Sequence, residues 1–152
     1  MNRWLLTLSF LLLCWRASMP ANAATEEPYL VLVTSAQSTI PALSANEVQH
    51  LYLGVTLFSD GKAIKPLLNY SDSYTQETFM FKVMMMSTQA YERQMLAKIF
   101  RVGGNRPPVH AGLASLIHAL KADPATISYM FSDQAGAQPD LKIINTLWKN
   151  ED

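Results

Sequence analysis

The stretch Tyr29-Leu30-Val31-Leu32-Val33, followed shortly by Ser44-Ala45-Asn46-Glu47-Val48, decides the fold class. The first five residues form a nearly continuous apolar run of β-formers, with no polar residue at alternate positions. That pattern predicts a strand buried on both faces of a sheet. Ser44 and Glu47 have the S-x-x-E form of a capping box. The Ser44 hydroxyl can accept from the amide three residues on, and the Glu47 carboxylate can reach back to the Ser44 amide. The helix opened there runs through Val48, Leu51 and Tyr52 and stops near Gly54.

Working outward, the alternation of strand and helix continues. Ser59-Asp60-Gly61-Lys62 predicts a turn, and Ala63 to Leu68 a second strand. Asn69-Tyr70-Ser71-Asp72-Ser73 is rich in helix-capping residues. It precedes a helical stretch in which Phe79, Val83 and Met86 share one face, with Met80 and Met84 beside them. The spacing of Tyr91, Met95 and Ile99 predicts a helix from about Ser87 to Phe100. Gly103-Gly104 and Pro107-Pro108 mark a loop. Leu113, Leu116, Ile117 and Leu120 predict another amphipathic helix, ended near Asp123-Pro124. Ile127 to Phe131 and Leu141 to Ile144 read as the remaining strands. The expected fold is α/β, one domain with a mixed or largely parallel sheet flanked by helices.

The first residues follow the plan of a secretory signal: Arg3 supplies the positive start, and Trp4 to Trp15 is apolar apart from Thr7 and Ser9. Ala21-Asn22-Ala23 is a small-residue exit. The apolar core is shorter than the roughly 20 residues a membrane span requires. Cleavage after Ala23 is expected, giving a periplasmic domain from residue 24 to 152 that has no membrane insertion. Cys14 is the single cysteine and lies inside the signal core, so the working chain would carry no thiol, disulfide or thiolate metal site. Arg3 and Arg16 leave with the signal, so 10 basic residues face 12 acidic ones. That balance, with lysines and arginines scattered singly, argues against nucleic acid as a partner.

Motifs for chemistry are absent: there is no G-x-S-x-G elbow, S-x-x-K or P-loop, and no pair of carboxylates that reads as acid and base. His50, His110 and His118 are widely separated. His110 and His118, two turns apart if they share one helix, are too distant to hold one metal. Met84-Met85-Met86 cannot face one ion from three sides of a helix, and methionine as core filler is the better account. Neither an enzyme, a metal nor a cofactor is expected.

Several segments together resemble the phosphate-type periplasmic substrate-binding proteins of ABC transporters, and more closely the short single-lobe relatives of that family. Leu43-Ser44-Ala45-Asn46-Glu47-Val48 with Leu51-Tyr52-Leu53-Gly54 is similar to the family's L-S-x-x-E segment and the F-x-G that follows, with Tyr52 where Phe is usual. Phe58-Ser59-Asp60-Gly61 and Ile64-Lys65-Pro66-Leu67 resemble its W-x-D-G turn and following strand. Ser73 with Phe79, Phe100-Arg101-Val102-Gly103 with Pro107-Pro108, and Ala125-Thr126-Ile127-Ser128-Tyr129-Met130 complete the series in order. The resemblance spans about Leu30 to Ile144 and implies one lobe of a periplasmic-binding-protein-like fold. It also implies a small oxyanion such as phosphate held at a helix N-terminus, and an envelope transporter or sensor as partner.

The candidate ligand residues are Ser71, Asp72, Ser73 and Thr75 at the strand-to-helix junction. Thr34 and Ser35, after the first strand, occupy the other place where such folds hold ligands. A bland account stands beside each. One of the four can simply cap the helix, and the Thr34–Ser38 segment can be a plain polar loop. The sequence also departs from the family. The junction has no glycine, Gln76 stands where an arginine is usual, Glu77 follows it, and Ser128 replaces a glycine. A chain of this length lacks the second lobe that closes over a ligand. An interaction module that has kept the fold and lost the ligand is therefore the alternative expectation.

Overall fold

The computed structural model describes residues 26–151; the expectations for the signal segment and Cys14 lie outside the described residues. β1 (Leu30–Ser35) forms where expected, and all six of its residues are buried. It sits inside a four-stranded sheet of order β4-β7-β1-β8, where β4 is Lys65–Pro66, β7 is Thr126–Phe131 and β8 is Leu141–Trp148. The alternation of β1 explains its unbroken apolar run. Leu30 and Leu32 enter one core with Val48, Tyr52, Phe79, Met80, Tyr91 and Tyr129. Val31 and Val33 enter the other with Leu116, Leu120, Met130 and Leu141. The sheet is thus covered on both faces.

It is mixed rather than largely parallel. β4 pairs with β7 in parallel, whereas β1 runs antiparallel to both β7 and β8. β7 and β8 run the same way, joined by α5 (Ser132–Gly136), and β1 is slotted between them from the opposite end. Alternating elements along the chain do not fix that direction.

The local signals held well. α1 (Ala45–Tyr52) carries both halves of the capping box: the Glu47 amide donates to the Ser44 hydroxyl at 3.3 Å and the Ser44 amide donates to Glu47 Oε2 at 2.7 Å. It ends at Gly54, whose φ of +82° favours glycine. There an added Cβ would meet Lys98 Nζ at 2.7 Å. β2 (Phe58–Ser59) and β3 (Lys62–Ala63) pair around Asp60-Gly61, both at positive φ, as a two-residue hairpin turn requires. α3 (Thr88–Val102) is capped by Ser87, buries Tyr91 and Met95, and ends at Gly103. α4 is Leu113–Ala122.

Three expectations are corrected. The strand expected over Ala63–Leu68 is broken into the end of β3, β4 and β5 (Leu68–Asn69), because the chain changes partner along it. β4 joins β7, while β5 pairs in parallel with β6 (Val109–His110). The helix after the junction is α2 (Ser73–Thr78), which widens into a π-helical turn over Phe79–Val83. His110 lies in β6 rather than on a helix with His118, and its Nδ1 is 2.8 Å from the Ser115 hydroxyl. Met80, Met84, Met95 and Met130 are buried core filler, while Met85 is exposed. Among the described residues no helix is long and apolar enough to cross a membrane.

Candidate functional site

The junction from β5 to α2 is organised by a buried asparagine. Asn69 donates through Nδ2 to the Tyr129 carbonyl at 2.9 Å. Its Oδ1 accepts from the Ser71 amide (3.1 Å) and the Ser71 hydroxyl (2.6 Å). Ser71 is therefore turned inward to complete this turn. Asp72 is the N-cap of α2: its carboxylate accepts from the Thr75 amide at 2.8 Å and from the Thr75 hydroxyl at 2.6 Å. Thr75 is buried. Ser73 is exposed, and the Ser73 and Tyr74 amides have no partner among the described residues. Gln76, at the position where the family resemblance implies an arginine, reaches Thr88 at 3.5 Å.

Beside this helix end lies an open cleft of about 450 Å³. Asp72, Tyr74 and Thr75 form one wall. Phe131, Asp133 and Gln134 form the second, and Glu27, Trp148 and Asn150 the rim. Tyr74 stacks on Phe131, ring centres 5.2 Å apart and nearly parallel. Asn150 donates to Glu27 at 3.2 Å. Gln134 Oε1 is shielded and has no partner among the described residues. Among the described residues the lining holds three carboxylates, from Glu27, Asp72 and Asp133, and no lysine, arginine or histidine. A positive charge stands behind it, where Lys82 lies 5.4 Å from the Trp148 ring centre.

Of the six candidate residues, Ser71, Asp72, Ser73 and Thr75 come together; Thr34 and Ser35 do not join them. β1 meets the cleft at its beginning, where Leu30 pairs with Phe131 and Trp148, whereas Thr34 and Ser35 lie at the other end of this interior strand. Both are buried. The Thr34 hydroxyl donates to the Thr126 carbonyl at 2.7 Å and Ser35 Oγ accepts from the Gln37 amide. Their hydroxyls hold the sheet and the following turn.

The floor beneath the junction is a tyrosine cluster that the sequence reading left in the core. Tyr129 stacks on Phe79 at 3.6 Å, and its hydroxyl donates to the Asn69 carbonyl. The Tyr52 hydroxyl donates to the Leu67 carbonyl and the Tyr91 hydroxyl to the Tyr52 carbonyl. Burial pushes the Tyr52, Tyr91 and Tyr129 phenols up from their ordinary value. Tyr70 is pushed up by burial and then by Glu92, to which it donates at 3.1 Å. Arg106 closes the same group by donating to Glu92 at 2.7 Å. These phenols brace the junction as protonated donors. Glu27, Asp133 and Trp148 also escaped sequence reading. Asp133 sits in a five-residue helix too short to show a period, and the other two come from the two ends of the described chain.

Among the described residues no cluster of three or more His, Cys, Asp or Glu side chains is placed to hold a metal. No family model matches the chain, and no curated protein is similar to it at a significant level. Solved structures are similar in fold. An ABC-type phosphate transport receptor from Vibrio cholerae superposes with a TM-score of 0.58 at 11% identity, over 78% of this chain and 46% of that one. PstS from Borrelia burgdorferi superposes with a TM-score of 0.53 at 16% identity, over 78% of this chain and 47% of that one. This chain spans about half the length of those receptors, and what it shares with them is the periplasmic-binding-protein fold.

Proposed function

We propose that this chain is a non-catalytic binding module of the cell envelope. It uses one receptor-type lobe to engage a protein partner, with its cleft closed to ionised phosphate by its own acids. The observation that carries this reading is the Asp72 carboxylate on the Thr75 amide and hydroxyl. It fills, with the chain's own negative charge, the helix end where a bound anion would sit.

Magnitudes favour it. A space of 450 Å³ is about 9 Å across. At about 8 Å and an effective dielectric of about 40, each carboxylate costs a singly charged anion about 1 kcal/mol, so three cost about 3 kcal/mol, and a dianion twice that. The helix end returns about 0.3–1 kcal/mol when exposed, and Lys82 behind the Trp148 ring offsets at most about one of the three carboxylates. Repulsion wins.

A second reading has its own observation. The Ser73 and Tyr74 amides are without partners beside the cleft, and could hold a partly protonated oxyanion such as hydrogen phosphate while Asp72 accepts its proton. The similar folds belong to phosphate transport receptors, which agrees with a solute of this class and with a transporter as partner.

Thermal unfolding against a phosphate titration, with sulfate and chloride as ionic-strength controls, decides between them. The proposal expects phosphate to do no more than chloride. A saturable rise on the order of 10 °C, the effect of about 2.7 kcal/mol at 100 times the dissociation constant, would overturn it in favour of the oxyanion.

A further inference from the structure

The C-terminal end of α3 combines exposed apolar side chains with positive charge. Every residue from Phe100 to Arg106 is exposed, Phe100 by 84% and Val102 by 69%. Gly103 and Gly104 turn the chain there at φ of +76° and +96°, and an added Cβ at either would have no atom within 4 Å. The segment therefore projects as a tip. Leu96, also exposed, extends its apolar surface back along the helix. Arg93, Leu96 and Phe100 share the stripe opposite the buried Tyr91 and Met95. α3 begins beside α2, where Gln76 meets Thr88. Its 15 residues carry the tip about 20 Å from that contact.

The charge around this tip is one-sided. From Arg93 to Ala122 the chain has no aspartate or glutamate, while Arg93, Lys98, Arg101 and Arg106 follow one another closely. Glu92, the one acid of α3, is bonded by Arg106, and Lys98 donates to the Leu53 carbonyl. Arg93 and Arg101 are exposed and have no ion-pair partner among the described residues. Beside the stripe lies an open trough of about 300 Å³. Met95, Leu96 and Ile99 line it, together with Glu92 and the two arginines Arg93 and Arg106.

We propose that this tip docks on the surface of an anionic phospholipid membrane. Phe100, Val102 and Leu96 enter the boundary between headgroups and acyl chains, and Arg93 and Arg101 bond the lipid phosphates. The proposal goes beyond the binding reading above and stands on a different face. Guanidinium groups match phosphate oxygens two at a time, and cations interleaved with Phe and Leu are the composition of segments that lie in a membrane interface. A projecting apolar tip finds room in a fluid layer without a shaped pocket, whereas a protein partner would need a cavity matched to it. The cleft acids add orientation: an anionic surface attracts the tip and repels Glu27, Asp72 and Asp133.

The test uses the chain expressed from Met1, so that export and any processing precede purification. It is floated with vesicles of phosphatidylglycerol and phosphatidylethanolamine, and separately with neutral phosphatidylcholine vesicles. Binding should need the anionic lipid and weaken as salt is raised. Arg93→Gln/Arg101→Gln should lose about 25-fold in affinity, about fivefold for each cation at such a surface. Phe100→Ser/Val102→Ser should lose at least tenfold at unchanged charge, about what withdrawing two partly buried apolar side chains costs. All four side chains are exposed, and circular dichroism should find both variants folded. Failure to float with anionic vesicles overturns the proposal and leaves the tip to an acidic protein surface. Flotation with neutral vesicles as well, indifferent to both pairs of substitutions, also overturns it, since a retained apolar leader would behave in that way. Either result leaves the closed-cleft reading intact, because phosphate titration alone decides that.

Discussion

Replacing Asp72 by asparagine separates the two jobs its carboxylate can do. As a cap, asparagine is nearly equivalent to aspartate: its side-chain oxygen can still accept from the Thr75 amide, now held at 2.8 Å. What changes is charge. At about 8 Å from a ligand in the cleft, removing one negative charge lifts about 1 kcal/mol of repulsion from a monoanion, equivalent to about fivefold in affinity. Asp72→Ala removes cap and charge together and should cost about 1 kcal/mol of stability, lowering Tm by about 3–5 °C. The assay is differential scanning calorimetry of the chain and both variants across a phosphate series. We expect Asp72→Asn to unfold within about 2 °C of the parent, by the cap equivalence above, and to respond to phosphate at least as strongly. The opposite sign would refute the reasoning. If the parent is stabilised by phosphate and Asp72→Asn is not, the carboxylate accepts the ligand's proton, and the cleft is an oxyanion seat after all.

Two further outcomes follow from the side chains beneath and beyond the junction. The raised phenols of Tyr52, Tyr70, Tyr91 and Tyr129 favour the protonated form in the fold, so their contribution is complete below the ordinary value of 10.0 and is lost as pH rises beyond it. Absorbance titration should show these four ionising late and together with unfolding; early, reversible ionisation of all tyrosines in the folded chain would contradict the brace. Asp123 is held below its ordinary 3.8 by the hydrogen bond from Lys65 and then by the Ala125 amide. Its stabilisation is therefore present above that value and disappears as pH falls through the lowered one. Both partners are partly exposed, so Asp123→Asn should cost less than about 1 kcal/mol near neutrality. Denaturant midpoints of parent and variant should converge in acid, and a gap that persists there would mean that the charge is irrelevant.

What was legible in the sequence is what is decided locally or by burial on two faces. The run Leu30–Val33 announced β1 because one set of alternate residues enters each core. Ser44 and Glu47 announced α1 because both halves of the box lie within four residues. What failed depends on distant partners. No local signal separates β4 from β5, since the division is made by β7 and β6 arriving from much later in the chain. The π-helical turn at Phe79–Val83 disturbs a periodic face that otherwise read as a continuous helix.

The same division runs through the site. Thr34 and Ser35 have the composition of a ligand loop, yet Thr34 is claimed by the carbonyl of a residue 92 positions away. Asp72 reads as cap or as ligand contact with equal ease, because an N-cap and an anion compete for the same amides. Only convergence distinguishes them. Glu27 and Asp133, far apart in the chain, meet the Asp72 carboxylate around one space whose described lining holds no cation, and the proposed closed cleft rests on that meeting. The departures visible in sequence, no glycine and no arginine at the junction, agree locally with the proposed closed cleft. Its cause lies in residues that no motif connects.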